Sequence, residues 1–163
     1  MADEIKFDMS EIKSAEAMLR RMGGAPPKVA NKAASKAATV VRKATRNAAP
    51  VRTGTLKRAI RRNGERSRVR GKKVYDLYFD PAYNDRLQKP IRNPGQYGGK
   101  KNTAYYPASM EYGFLTRAGG GIRFEGLHFM RGAADDSEAQ ARAAATQAAL
   151  TEINKIWNEK KGG

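Results

Sequence analysis

The first third of the chain places apolar residues at the period of an α-helix. A first helix is predicted over residues 1–24, because four of its apolar residues recur at intervals of three and four. These residues are Ile12, Ala15, Leu19 and Met22. A second helix is predicted from Pro26-Pro27 to Ala48 or Ala49, since proline is tolerated in the first turn of a helix and Pro50 cannot continue one.

The apolar stripe of the second helix is narrow, because it is built mostly from alanine. Its members are Val29, Ala33, Ala37, Val40, Ala44 and Ala48. Lysine and arginine cover much of the remaining helix surface. Small side chains let a neighbouring element approach the backbone closely, so we expect a helix or sheet to pack along this stripe.

A turn and a short helical segment follow the second helix. Thr53-Gly54 predicts the turn, and either Thr53 or Thr55 can cap the new segment. Leu56 and Ile60 are four residues apart and therefore share one face of it. This segment is expected to contribute to the core.

Residues 74–80 form the clearest strand in the sequence. β-Branched and aromatic residues dominate this stretch, and Pro81 follows it. Asn63-Gly64 and Gly71-Lys72-Lys73 are turn signals on its N-terminal side. A hairpin that joins residues 66–70 to 74–80 is therefore predicted.

Two extended loops are predicted over residues 81–103 and 115–127. The first contains three prolines and three glycines, and the second contains Gly119-Gly120-Gly121. A strand, or a strand leading into a turn, is predicted between them over residues 105–114. Long loops in compact domains are usually functional or flexible. One interpretation of the first loop is contact with another subunit, and a flexible insertion is the other. Its candidate contact residues are Tyr83, Ile91 and Tyr97.

A long C-terminal helix closes the chain. Residues 128–131 form a short apolar anchor, and Asp135 or Asp136 is predicted to cap the helix that follows. The order of elements indicates a single α+β domain over residues 1–163. A small antiparallel sheet with long loops is expected to pack against a long helix of the N-terminal half and the long C-terminal helix.

The amino-acid composition indicates how large a hydrophobic core the chain can form. Hydrophobic residues make up 40% of the 163 residues, but 26 of them are alanine. The core should therefore be thin, and contacts with neighbouring subunits are expected to supply part of the stability.

Positive charge is concentrated in one part of the chain. The formal net charge is +16, and the stretch from Arg42 to Lys73 holds 13 lysines and arginines against a single acid, Glu65. Such a concentration is typical of proteins that meet a polyanion, although a solvated basic face with no dedicated partner is the plainer reading. The candidate surface consists of Arg52, Lys57, Arg58, Arg61, Arg62, Arg66, Arg68, Arg70, Lys72 and Lys73.

The sequence offers little material for catalysis. It has no cysteine, which excludes disulfides and thiolate chemistry. Its one histidine, His128, stands between Leu127 and Phe129, which favours a packing or hydrogen-bonding role over that of a general base. The acids and glycines show neither metal-ligand spacing nor a phosphate-loop pattern. We therefore expect no enzyme activity, no cofactor and no metal. No apolar run is long enough to span a membrane, and the N-terminus lacks the features of a secretory signal.

Three segments, in order, resemble a family of tailed-phage neck proteins. They are Ala49 to Ile60 (APVRTGTLKRAI), Tyr106 to Gly113 (YPASMEYG) and His128 to Ala133 (HFMRGA) followed by a long helix. The family pattern is a Pro and Thr-Gly-x-Leu, then a Tyr with Glu-Tyr-Gly, then a Pro-Phe-Met/Leu-Arg-Pro-Ala-like segment. Members are similar to the lambdoid gene-10-like tail components and to the wider tail-completion and virion-morphogenesis group. The chain departs from the pattern where His128 and Gly132 replace prolines.

The resemblance implies a structural virion protein that joins the head connector to the tail. It also implies a homo-oligomeric ring around the DNA channel, a hexamer being favoured over a dodecamer, with head-completion and tail-terminator proteins as neighbours. The protein would be assembled in the host cytoplasm and reside in the virion neck or tail, with no membrane partner. The basic surface would face packaged DNA or a neighbouring ring. The alternative is a free basic protein that binds nucleic acid without sequence preference.

Overall fold

Two long helices and three small β-hairpin-like pairs make up the computed structural model, which describes Gly23 and residues 25–66, 68–69, 71–90, 103–115 and 121–161. The predicted helix over residues 1–24 lies outside these ranges, apart from Gly23. In chain order the elements are α1 (Ala25–Ala48), α2 (Thr55–Ala59), β1 (Ile60–Gly64), β2 (Tyr75–Phe79), a 3-10 turn (Pro81–Tyr83), α3 (Asn84–Leu87), β3 (Gln88–Pro90), β4 (Thr103–Tyr105), α4 (Tyr106–Tyr112), β5 (Gly113–Leu115), β6 (Arg123–Glu125) and α5 (Phe129–Lys161). The α+β class is confirmed.

Helices α1 and α5 pack along each other in the most extensive contact of the fold. A helix therefore packs along the second helix, as expected, but the residues buried on α1 are not those of the predicted stripe: none of the six stripe residues is fully buried, and Ala48 is exposed. The buried small residues of the two helices are Ala38 and Thr45 on α1, and Ala133, Ser137 and Ala141 on α5. The buried hydroxyls are satisfied within their own helices. Thr45 donates to the Val41 carbonyl at 2.9 Å, and Ser137 donates to the Ala133 carbonyl at 2.7 Å.

The strands form three separate two-stranded antiparallel sheets, β1-β2, β3-β4 and β5-β6. In the first sheet Ile60 pairs with Phe79 and Gly64 pairs with Tyr75. The predicted hairpin was therefore wrong in its first strand, and Asn63-Gly64 lies inside β1 instead of in a turn. Burial explains the difference, because Ile60 is fully buried whereas Val69, the apolar residue of the 66–70 segment, is 61% exposed.

The predicted long loops contain more regular structure than the sequence indicated. Residues 81–90 fold into the 3-10 turn, α3 and β3, and the Asp80 carboxylate starts this segment by accepting from the Ala82 amide at 3.0 Å. The predicted strand over 105–114 contains α4 at its centre, and the predicted loop over 115–127 contains β6. Helix α5 begins at Phe129, so Asp135 and Asp136 lie inside it and do not cap it.

The core is small and lies where the helices meet the first sheet. Its buried cluster consists of Ala49, Leu56, Ala59, Ile60, Leu87 and Phe129. Leu56 and Ile60 are both members, as their shared helical face predicted, although the helix ends at Ala59 and Ile60 starts β1. The thin core expected from composition is thus present in the described residues.

Candidate polyanion-binding surface

Glu111 joins the middle of the chain to the C-terminal helix. Its carboxylate accepts hydrogen bonds from the backbone amides of Met130 at 2.9 Å and Arg131 at 3.2 Å, the second and third residues of α5. Only 6% of Glu111 is exposed. A carboxylate satisfies the free amides of a first helical turn and interacts favourably with the positive end of the helix dipole. Glu111 therefore caps α5 from a distant position in the sequence.

Gly113 lets the backbone of α4 and β5 approach the segment before α5. It has a positive φ of 82°, and a Cβ at this position would lie 2.2 Å from the Phe124 carbonyl oxygen and 2.7 Å from the Gly126 nitrogen. The Leu127 amide donates to the Met110 carbonyl at 2.8 Å across the same junction. A side chain at position 113 is excluded by both backbone conformation and space.

The three segments on which the resemblance rests meet in one framework. Leu56, Ala59 and Ile60 of the first segment share the buried cluster with Phe129 of the third. Tyr106 and Met110 of the second segment pack against that cluster, and Glu111 supplies the helix cap. The principal role of these segments within one chain is therefore to hold the fold together.

A basic groove lies between the C-terminal half of α1 and α2. Arg42, Lys43, Arg46 and Lys57 line it together with Thr39 and Asn47, and its volume is about 260 Å³. No acidic residue is among the described residues that line it. Four like charges around one groove repel each other, and a polyanion bound there offsets this repulsion.

The residues of the predicted basic surface belong to several different elements of the structure. Lys57 lies in the groove, whereas Arg52 lines a second cavity beside the Thr53-Gly54 turn. Arg58 is exposed and donates to the Thr53 carbonyl at 3.2 Å. Residues of the β1-β2 connection are exposed at the far end of the hairpin: Arg66, Arg68 and Lys72. Arg70 lies outside the described residues.

Strand β1 directs its two arginines to different roles, because successive side chains of a strand point to opposite faces. Arg61 is on the solvent face and pairs with Asp80 at 3.2 Å. Arg62 is on the helix face, where its guanidinium donates to the Ser35 carbonyl at 3.1 Å and hydroxyl at 2.9 Å. Arg62 therefore fixes the hairpin to α1, and the charge of Arg61 is partly balanced.

The side chains of Arg62 and Lys73 both lie near the aromatic ring of Tyr75. The Arg62 guanidinium lies 5.3 Å and the Lys73 ammonium 5.6 Å from the centroid of the Tyr75 ring. Lys73 also donates to the Glu65 carbonyl. Cation–π contacts at such distances are favourable. Lys73, like Arg62, thus makes contacts within its own chain.

Of the three residues predicted to contact another subunit from the first loop, the structure describes only Tyr83. Tyr83 is half-buried and packs against the core cluster of its own chain. Ile91 and Tyr97 lie outside the described residues. His128 is exposed and therefore lies outside the buried core, and it has a positive φ of 46° just before α5. Its ring makes an edge contact with Tyr112, with centroids 6.5 Å apart.

No cluster of three or more His, Cys, Asp or Glu residues suited to a metal ion occurs in the described part of the chain. Within that part, no helix combines the length and apolar character that crossing a membrane requires.

Sequence reasoning missed the groove as a unit. Thr39, Lys43 and Arg46 follow at helical intervals on α1, which is the signal that could have grouped them. Their meeting with Lys57 depends on how α2 packs. Arg86 and Lys89 were missed altogether, because their segment read as a loop.

Comparisons of this chain with protein-family models, with curated proteins and with solved structures found no match.

Proposed function

We propose that this chain is a structural subunit of a tailed-phage neck that joins the head connector to the tail, and that it works as a ring around the DNA channel. The observation that carries the proposal is the convergence of the three resembling segments on one buried cluster and one helix cap. A family pattern whose residues make mutual structural contacts is typical of a shared fold, and catalysis is not part of the proposal.

The thin core and the exposed apolar side chains support assembly with other subunits. Several large apolar residues of the β5-β6 sheet and its surroundings are about half exposed or more: Tyr112, Phe114, Leu115, Ile122, Phe124 and Leu127. The rings of Phe114 and Phe124 stack at 5.0 Å on this surface. Exposed apolar patches of this kind mark protein–protein contacts.

Within the ring, the groove of Arg42, Lys43, Arg46 and Lys57 would contact phosphates of DNA in the channel. DNA that moves through a channel is contacted at its phosphate backbone, without recognition of the bases. Lysine and arginine side chains supply the positive charge that such contacts need. The groove offers four cations from two helices, so it suits a phosphate backbone better than the scattered cations of the β1-β2 connection.

Ring formation is tested with the purified protein by native mass spectrometry and negative-stain electron microscopy. We expect closed rings of a single size, six or twelve copies, with a central opening. A folded protein that stays monomeric across the accessible concentration range would contradict the ring.

The groove is tested by duplex DNA binding at several salt concentrations. The variant Arg42→Gln, Lys43→Gln, Arg46→Gln, Lys57→Gln should bind more weakly, and the slope of log K against log salt should fall by up to about 3 to 4, since each phosphate contact contributes about 0.9. The matched control removes four exposed charges elsewhere, at Lys28, Lys32, Lys36 and Arg123. An equal loss in both variants would refute a specific role for the groove.

The free nucleic-acid-binding protein remains the second candidate, and the same groove favours it. The two candidates differ in assembly. Tight salt-dependent DNA binding by a monomer, with no ring under any condition, would select the free binding protein.

A further inference from the structure

A second cavity, beside the Thr53-Gly54 turn, has the composition of an anion site. Three cations line it, and they come from separate parts of the fold: Arg52 from the turn, Arg86 from α3 and Lys89 from β3. The described residues that line it include no Asp or Glu. All three cations are exposed, so their charges are accessible to a ligand from solvent.

The turn adds hydroxyl groups to the same cavity. Thr53 and Thr55 both line it, and their hydroxyl oxygens lie 2.9 Å apart in a mutual hydrogen bond. That bond uses one of the two hydroxyl hydrogens. The Thr55 amide donates to the Thr53 hydroxyl oxygen at 3.4 Å and uses none. One hydroxyl hydrogen therefore stays available to donate to an acceptor in the cavity.

The size of the cavity limits the ligand. Its volume is about 240 Å³, below the roughly 300 to 1,000 Å³ of pockets that hold drug-sized molecules. A water molecule takes about 30 Å³ of liquid, so the cavity has room for a tetrahedral oxyanion and several waters. Buried Leu56 and Leu87 contribute apolar lining, which strengthens charge interactions near it.

We infer that this cavity binds a phosphate group. Arg52 and Arg86 can each present two parallel N–H donors to a phosphate, Lys89 adds a point charge, and the threonine pair adds a hydroxyl donor. The phosphate can belong to a nucleic acid backbone or to a small phosphorylated molecule, since both present the same oxygens. The inference stands apart from the proposed function, because none of the four groove cations lines this cavity.

The test is a titration of the whole chain with inorganic phosphate at constant ionic strength, followed by the amide NMR shifts of Thr53, Gly54 and Thr55. We expect saturable shifts at these amides. The variant Arg52→Gln, Arg86→Gln, Lys89→Gln should weaken phosphate binding about tenfold or more, as loss of charge-assisted hydrogen bonds predicts.

The matched control removes three exposed charges on α1, at Lys28, Lys32 and Lys36, and should change the phosphate affinity less than about threefold, because these charges act only over a screened distance. Circular dichroism checks that both variants are folded. Absence of saturable shifts, or equal weakening in the two variants, would overturn the inference.

A short DNA duplex added to the phosphate-bound protein identifies the source of the phosphate group. Displacement of bound phosphate by the duplex in the wild-type chain supports the site and assigns it to nucleic acid backbone. Saturable phosphate binding that the duplex leaves unchanged supports the site and assigns it to a small phosphorylated molecule.

Discussion

Replacement of Glu111 should destabilise the whole fold, because this one carboxylate ties α4 to the start of α5. It accepts two amide hydrogen bonds, at 2.9 and 3.2 Å, from a helix terminus in a mostly buried position. Hydrogen bonds to a charged group contribute about 1.5 to 3 kcal/mol each, and the helix dipole adds up to about 2 kcal/mol in partly buried sites. The cost of burying the carboxylate cancels part of this gain.

We therefore expect Glu111→Ala to lower the free energy of unfolding by about 3 to 4 kcal/mol, since it also leaves two amides without their acceptor. Glu111→Gln should cost about 1 to 2 kcal/mol, because the amide oxygen can still accept while the charge is lost. For a chain of this size, about 3 kcal/mol corresponds to a fall in melting temperature of roughly 6 to 12 °C.

Urea unfolding followed by circular dichroism at a fixed protein concentration measures both variants. Glu125→Gln is the matched control, because Glu125 lies on exposed β6 and its loss should change stability by less than about 0.5 kcal/mol. If Glu111→Ala unfolds within that margin of Glu125→Gln, the capping role assigned to Glu111 is wrong.

Three further predictions concern the framework and are measured by the same unfolding assay. Gly113→Ala should lower the free energy of unfolding by about 3 kcal/mol or more, because the new Cβ would overlap the backbone and the residue has a positive φ. Gly132→Ala should raise it by about 0.5 to 1 kcal/mol, because a Cβ there meets nothing within 4 Å and alanine favours the helix. Similar values for the two variants would refute the steric argument. Arg62→Gln should cost about 1 to 3 kcal/mol and Arg61→Gln less than about 1 kcal/mol, and the reverse order would contradict the assigned faces of β1. Burial raises the pKa of the Tyr105 hydroxyl above its ordinary value of 10.0. The contribution of neutral Tyr105 to the free energy of unfolding is therefore complete below about pH 10 and is lost as the pH rises through the higher pKa of the folded state. Tyr105→Phe should lose less stability than wild type when the pH is raised into the alkaline range, and an equal loss in the two proteins would contradict this.

Sequence patterns predicted the features that depend on local order. The bounds of α1 followed from its prolines and its alanine stripe, and the strand at residues 75–79 followed from its composition. The burial of Leu56 and Ile60 followed from their spacing. In each case the determining residues lie within a few positions of the feature.

Features set by contacts distant in sequence were not predictable. Helix α5 starts at Phe129, ahead of the local capping signals at Asp135 and Asp136, because Glu111 supplies the cap from 19 positions away. The register of the first sheet depends on burial of Ile60 against the helices, and the turn signal at Asn63-Gly64 does not outweigh it.

The positive charge of the candidate site could be predicted from the sequence, but the residues that meet in space to form it could not. The excess of lysine and arginine between residues 42 and 73 was evident in the sequence. The division of these charges between the groove, the hairpin and the second cavity depends on packing. That packing brings Lys57 to α1 and places Arg52 in one cavity with Arg86 and Lys89, which lie outside this stretch.

The central proposal, a subunit of the phage neck, is tested most directly by locating the protein in particles. A C-terminally tagged copy is expressed during particle production, and gold-labelled antibody is imaged on purified particles by electron microscopy. We expect the label at the junction of head and tail. Particles that lack the label, with the tagged protein found only in the unassembled fraction, would contradict the proposal.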